Sequence, residues 1–451
     1  MLKVHANPLE GLSFLCISRI RRKRGDFFSP LTHTRRMDPL AIDSEIGRLK
    51  RVVLHTPGME IEAMTPEEAE RDLYNDIIPL DSVLGEYMEL KRFLSSVAEV
   101  RELTDLLAEC LEDTGDKFEF LSDLLKCLPI RSSMESLMAL PGRELAALVV
   151  RGIPAPEASL AARLDSHAFI SRPLPNMYFM RDSAAILGDG LISGAMAFDV
   201  RMVEAVITRF VFTHHQDFTA GRIHFDGAAE RTRYLTMEGG DVLVLRQDIL
   251  ALGMSERTTP HAVERLARNL ANQSGKPVTI FAVDLPKARA TIHLDMAFTM
   301  IDRDAALVFA PAILGPSRGP VYRIEAGRNG KLSYFEEDSL LSGLEKAGLP
   351  LKPILCGDGR RIPEQREQWL SGANSFAFAP GKILMYSCNK HTAEALAREG
   401  FAIVESKRFI SGKESAEDYG RLAVTFDGIE LARGGGGARC MTLPVERERA
   451  F

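Results

Sequence analysis

"GGDVLVLRQDILALGMS", residues 239–255, holds two short runs of Val, Leu, Ile and Ala around the polar "RQD". Runs of that length, bounded by turn-forming residues, read as the two strands of a β-hairpin. The same pattern recurs outward from it in "DSAAILGDGLISGAM" (182–196), "AFTMIDRDAALVFAP" (297–311), "NSFAFAPGKILMYS" (374–387) and "RLAVTFDGIELAR" (421–433). Helical spacing follows several of them, in "RMVEAVITRFVF", "PHAVERLARNL" and "KHTAEALAREG". Five hairpin-plus-connection units, starting at 182, 239, 297, 374 and 421, suggest a repeat of irregular interval. Closed around a centre like the blades of a short propeller, they would leave few sheet edges open. An α+β sandwich of antiparallel hairpins is the plainer alternative.

N-terminal to these units, "RVVLHTP" (51–57) reads as a buried strand. Residues 87–160 change character: "YMELKRFLSSVAEVRELTDLLAECL", "FEFLSDLLKCL" and "GRELAALVV" place apolar residues at helical spacing, and "GIPAPEA" marks a boundary near their end. Residues 1–36 are expected to lie outside the fold. "GLSFLCISRIRRKRG" puts its basic residues after its apolar run, the reverse of a secretory signal, and the segment reads as an upstream-start stretch or a targeting extension.

The chain of 451 residues is 45% hydrophobic and 26% charged, which predicts an ordinary packed core. Its 56 basic and 62 acidic residues leave a formal charge of −6. No broad basic surface argues for nucleic acid or an anionic membrane, so a small ligand is the better expectation. No apolar run is long enough for a conventional membrane-spanning helix. The six cysteines are scattered without a CxxC pair, which favours reduced thiols in the cytoplasm over a disulfide framework or a zinc site.

The polar residues of interest fall at the hairpin boundaries. Asp182 opens the first unit in "PNMYFMRD" and Arg201 follows it; Glu238 opens the second in "MEGGD" and Arg257 follows it. "TIHLDMAF" brings His293 and Asp295 to the third, and Cys440 stands behind four glycines in "RGGGGARCMTLP" (433–444). Each residue has an ordinary reading when taken alone. In a closed repeat, however, equivalent boundaries share one pole, where a cysteine nucleophile, a histidine and carboxylates would meet. Asp182 and Asp295 beside one histidine would repel an anion and attract a guanidinium, and Arg201 and Arg257 would suit a carboxylate at the substrate's other end.

Those stretches, together with "GMSERT" and "REQWLSGANSFAFAPG", resemble in order and coverage the arginine deiminases of the pentein, or guanidino-group-modifying, superfamily, from about "SEIGRLKRVVLHTPG" to "GARCMTLP". The resemblance implies a pentein-type five-bladed α/β propeller of ββαβ-like units with an inserted helical domain. Residues 37–86 and 161–451 would form the catalytic domain and 87–160 the insert. It implies hydrolysis of L-arginine to L-citrulline and ammonia through a covalent thiouronium-type intermediate on Cys440. His293 would be acid and base, Glu238 its partner, and Asp182 and Asp295 the guanidinium holders. Arg201, Arg257, Asn176, Phe179 and Gly434 would surround the rest of the substrate. Neither cofactor nor metal is implied, and a homo-oligomer in the cytoplasm is expected. One departure stands out: many members carry an arginine five residues before the nucleophile, thought to take part in loop gating and substrate handling, where this chain has Gly435 between Arg433 and Arg439. Amidino transfer by the same residues and a catalytically silent arginine binder are the alternatives.

Overall fold

Four of the five expected hairpins form in the computed structural model, which describes residues 40–128, 134–165, 167–274, 278–327 and 330–451. Ala184–Leu187 pairs antiparallel with Gly190–Ser193, Val242–Arg246 with Ile249–Met254, Phe298–Asp302 with Ala305–Val308, and Phe376–Ala379 with Lys382–Tyr386. Each hairpin is then joined by a parallel strand that returns after a helix. Arg222–Asp226 returns after Met202–His214, Thr279–Asp284 after Pro260–Ser274, Lys352–Leu355 after Leu340–Lys346, and Leu422–Phe426 after Lys390–Arg398. A parallel partner needs such a crossover, and the helix buries its apolar side as it returns. The expectation for residues 1–36 lies outside the described residues.

The fifth expected hairpin is corrected. In "RLAVTFDGIELAR" only Leu422–Phe426 is a strand, and it completes the fourth sheet; Ile429–Arg433 is a helix. Short apolar runs do not distinguish strand from helix by periodicity. Here Glu86 decides, because its carboxylate accepts the otherwise orphaned backbone N–H groups of Glu430 at 3.1 Å and Leu431 at 2.9 Å. The fifth sheet is instead built from distant parts of the chain. Leu443–Arg447 pairs antiparallel with Leu49–Leu54, and Glu99–Glu102 adds in parallel after the helix Leu80–Val97. These five sheets thus share one ordering, an antiparallel pair and then a parallel strand, while a sixth holds only the antiparallel pair Ile153–Pro154 and Phe169–Ser171. The second is extended by the meander Val321–Ala326 and Leu332–Glu337, the fourth by Ala402–Glu405.

The helical segment starts earlier than its periodicity suggested. Leu80–Val97 buries Tyr87, Leu90, Phe93 and Leu94 in the same cluster as Phe376, Leu384 and Phe426. Phe93 meets Phe378 edge-on with ring centroids 5.2 Å apart. Leu103–Cys110, Thr114–Leu124 and Gly142–Arg151 instead pack into the cluster that holds Phe210 and Val211 of Met202–His214. Asp38–Phe451 form one compact unit, and no described helix is long and apolar enough to cross a membrane.

Candidate active site

Each sheet begins with a short turn that delivers one or two polar side chains. Asp182 lies in the turn Met180–Ser183 before the first hairpin, and Glu238 precedes the turn Gly239–Asp241 of the second. His293 caps Leu294–Ala297, which carries Asp295, before the third. Cys440 precedes Leu443–Arg447. The fourth sheet contributes Asn374, just before Phe376–Ala379. Sequence reading missed Asn374, although it stands at the boundary position that flagged the others. Its Oδ1 accepts from the backbone N–H of Arg439 (3.1 Å) and Cys440 (3.3 Å), and its Nδ2 donates to the Asp295 carbonyl (3.1 Å). The loop that carries Cys440 is thereby pinned to the segment that carries Asp295.

These side chains converge on a cavity of about 50 Å³. Cys440, His293, Asp182, Arg201, Arg257, Asn176, Phe179 and Gly434 line it. Glu238 and Asp295, both fully buried, stand one layer behind. Glu238 Oε2 is 2.9 Å from His293 Nε2, and its Oε1 accepts from the Ala197 N–H at 2.9 Å. Asp295 Oδ2 lies 3.7 Å from Cys440 Sγ. Asp182 accepts from Arg201 Nη1 at 2.6 Å through Oδ2, while its buried Oδ1 has no hydrogen-bond partner and lies 3.5 Å from His293 Nδ1.

The glycines before Cys440 have a steric cause. A Cβ on Gly436 would lie 2.4 Å from Phe179 Cε1 and 3.0 Å from the Cys440 Cβ, so only glycine lets this loop pass between Phe179 and Cys440. Gly435 has φ of +99°, a backbone conformation in which a side chain would be strained. The guanidinium of Arg289 lies 3.7 Å from where a Gly435 Cβ would be. Arg289 lines the cavity, donates from Nη2 to the Arg433 carbonyl at 2.8 Å and stacks over Trp369 at 4.5 Å. Nothing in the sequence pattern had marked it.

Electrostatics set the protonation states. Burial alone would lower the His293 pKa, but the Asp182 charge, the Glu238 hydrogen bond and Asp241 outweigh it and carry it up to about 9. Burial, then the charges of Asp295 and Asp182, push the Cys440 thiol well above its ordinary value. Glu238 is held down to about 2: burial opposes this, while Arg257 and His293 more than compensate. The arrangement without substrate is therefore a neutral thiol beside an imidazolium. Asp182, Glu238 and His293 also lie close enough together to hold a metal ion. However, Arg201 reaches Asp182 at 2.6 Å and Glu238 at 4.0 Å, and Arg257 reaches Glu238 at 3.4 Å. Two guanidiniums on the same carboxylates oppose a further cation, and an imidazolium is no ligand.

Arg201 sits deeper than a peripheral clamp, because Nε and Nη2 are also engaged by Glu204 at 3.0 and 2.7 Å. Arg257 stacks over Phe198 at 4.7 Å and keeps a buried Nε without a partner. Arg439, noted in the sequence only as a neighbour of Gly435, is fully buried. It bridges Asp295 at 2.7 Å to Glu45 at 2.9 and 3.0 Å.

Comparison with known proteins identifies the family. The arginine deiminase family profile matches residues 71–447. Similar relatives include the arginine deiminases of Bacillus cereus, 32% identical over 91% of this chain and 99% of theirs, and of Oenococcus oeni, 33% identical over 91% and 98%. Among solved structures, the amidinotransferase SxtG from Microseira wollei matches with a TM-score of 0.51 at 13% identity, over 91% of this chain and 98% of that one. AgrE, in its ternary complex with ornithine and NAD+, matches with a TM-score of 0.50 at 14% identity, over 88% of this chain and 39% of that one. The mixed α/β fold is thus shared with enzymes of the pentein fold. Within that class, the chain belongs to the arginine deiminase family.

Proposed function

We propose that this protein hydrolyses L-arginine to L-citrulline and ammonia. The observation that carries the reading is the meeting of Cys440, His293 and Asp182 at one cavity, with the carboxylates of Glu238 and Asp295 directly behind His293 and Cys440. Such a site repels anions and favours a guanidinium, to which each charge-assisted hydrogen bond contributes about 1.5–3 kcal/mol. Asp182 Oδ1, the partnerless oxygen, and Asp295 would hold the guanidinium nitrogens. The substrate's charge then offsets the two carboxylates that keep Cys440 protonated, so binding favours release of the thiol proton to solvent and leaves a thiolate beside the still protonated His293. The thiolate attacks the guanidinium carbon; ammonia leaves with the proton of His293, and a thiouronium-type intermediate remains on sulfur. His293, now neutral, takes a proton from water as it adds to the same carbon, and expulsion of the Cys440 thiolate releases citrulline.

Arg201, Arg257 and Asn176 would face the α-carboxylate end, with the partnerless Nε of Arg257 as a free donor, and Phe179 would wall the site. In the same reading the five like-ordered sheets close as the blades of an α/β propeller. Residues 37–86 and 161–451 would form the catalytic domain around an inserted helical segment, 87–160. The free cysteines among the described residues suit a reducing cytoplasm.

Product analysis tests the reading. Incubation with L-arginine should give citrulline and ammonia in equal amounts, with little product from agmatine, which lacks the carboxylate. Ornithine appearing only with an added amine would replace hydrolysis by amidino transfer. Arginine binding without product would leave a silent binder.

Two further outcomes are expected. The rate should fall as pH rises through about 9, where His293 loses the proton it must deliver. Glu238→Gln removes a charge and a hydrogen bond that raise that pKa, so the alkaline limb should move to lower pH; a pH profile of kcat in which it stays put would remove Glu238 from the role. Arg289→Ala should raise KM for L-arginine about tenfold or more while kcat changes little, the size expected for one lost charge-assisted contact. Unchanged steady-state constants would show that Arg289 makes no contact that matters to the substrate.

A further inference from the structure

A second cluster of charge lies beside the nucleophile loop, outside the catalytic cavity. Arg439, Arg181 and Arg447 are all buried there, at 1%, 5% and 6% exposure. Glu45 sits among them, but its two oxygens already accept from Arg439 Nε and Nη2. Arg439 Nη1 goes to Asp295. Arg181 is left with no ion pair among the described residues, and its Nε and Nη2 are buried without a hydrogen-bond partner. Arg447 has the Gly47 carbonyl, 2.6 Å from Nη1, and the face of Phe376 at 5.1 Å. Three guanidiniums thus face two carboxylates, an excess of one positive charge in a buried volume. Burial, with only partial relief from Glu45, and repulsion from neighbouring guanidiniums draw Arg181 down to about 10 and Arg447 to about 9.

Arg181 and Arg447 both line a small cavity of about 10 Å³ together with Ser44 and Glu45. Ser44 Oγ accepts from the Gly47 N–H at 3.0 Å, which leaves its own hydroxyl proton free to donate. That volume holds a single water-sized occupant, too little room for phosphate or an amino acid. A water would accept hydrogen bonds from these donors without offsetting their charge, whereas a buried unpaired charge is strongly unfavourable.

We propose that this cavity binds a small monatomic anion, of which chloride is the physiological example, held by the guanidiniums of Arg181 and Arg447. The site lies next to the catalytic loop, since the Arg181 N–H donates to the Cys440 carbonyl at 3.0 Å. A bound anion fastens the base of that loop and stabilises the folded chain, whatever the substrate.

The test uses the full chain in chloride-free gluconate buffer, with chloride or bromide added at constant ionic strength while thermal unfolding is followed. Chloride and bromide should each raise the melting temperature by several degrees and saturate, as a single bound ligand does. Arg447→Met should lose the saturable rise. A crystal soaked in bromide should show an anomalous peak about 3.5 Å or less from the guanidiniums of Arg181 and Arg447. Identical melting in gluconate and chloride overturns the site. So does a bromide-soaked wild-type crystal without the peak, a readout that stands even if the variant fails to fold. A peak with no saturable effect on melting is an adventitious ion only and overturns it as well.

Discussion

Cys440→Ser should abolish turnover while L-arginine still binds. A serine hydroxyl lacks the thiolate's nucleophilicity, and the loss expected for removing a covalent nucleophile is on the order of 10⁴-fold or more in kcat. Binding survives because Asp182, Asp295 and the two arginines are untouched, and calorimetric titration should detect it. Rapid quench of the wild-type enzyme, followed by mass spectrometry of the peptide holding residue 440, should trap the thiouronium adduct; the variant should show none. Turnover near the wild-type rate in Cys440→Ser would sink the nucleophile assignment.

Asp295→Ala should cost both activity and stability, because this carboxylate has two tasks. It stands 3.7 Å from Cys440 Sγ, where it is proposed to hold the substrate guanidinium, and it pairs with the buried Arg439 at 2.7 Å. Its removal strips a buried guanidinium of one partner, which costs about 3 kcal/mol or more. It also removes a substrate contact, so KM should rise and kcat fall together. Asp182→Ala should lose activity comparably with a smaller stability loss, since Arg201 keeps Glu204 at 2.7 Å. Denaturant unfolding alongside steady-state kinetics separates the two effects. Equal stability loss in both variants would contradict the bridging role of Arg439, and wild-type kinetics in both would refute the guanidinium contact.

The sequence made the local parts legible and the distant pairings illegible. The four true hairpins are contiguous, each with its turn between two apolar runs, so a short window suffices to find them. The fifth sheet joins Leu49–Leu54 to Leu443–Arg447, and no local pattern links strands that far apart. "IELAR" looked like a returning strand because only its contact with Glu86 makes it a helix. The same division holds in the site. Cys440, His293 and the carboxylates stood out as reactive types at hairpin boundaries, whereas Asn374 occupied an equivalent boundary and was overlooked, since an amide announces no chemistry of its own. Arg439 acquires its meaning from two distant carboxylates, Asp295 and Glu45, 144 and 394 residues away in the chain. Arg289 acquires its meaning from Gly435, whose missing side chain it overlies.

The fifth sheet also bears on when this protein becomes active during synthesis. Its strand Leu49–Leu54 leaves the ribosome long before its antiparallel partner, Leu443–Arg447, is made. Cys440 lies only just before that last strand. Contacts this distant in sequence form late and slowly. The residue proposed as nucleophile therefore reaches its place only after most of the other strands exist, and the site is complete only once Leu49–Leu54 and Leu443–Arg447 pair.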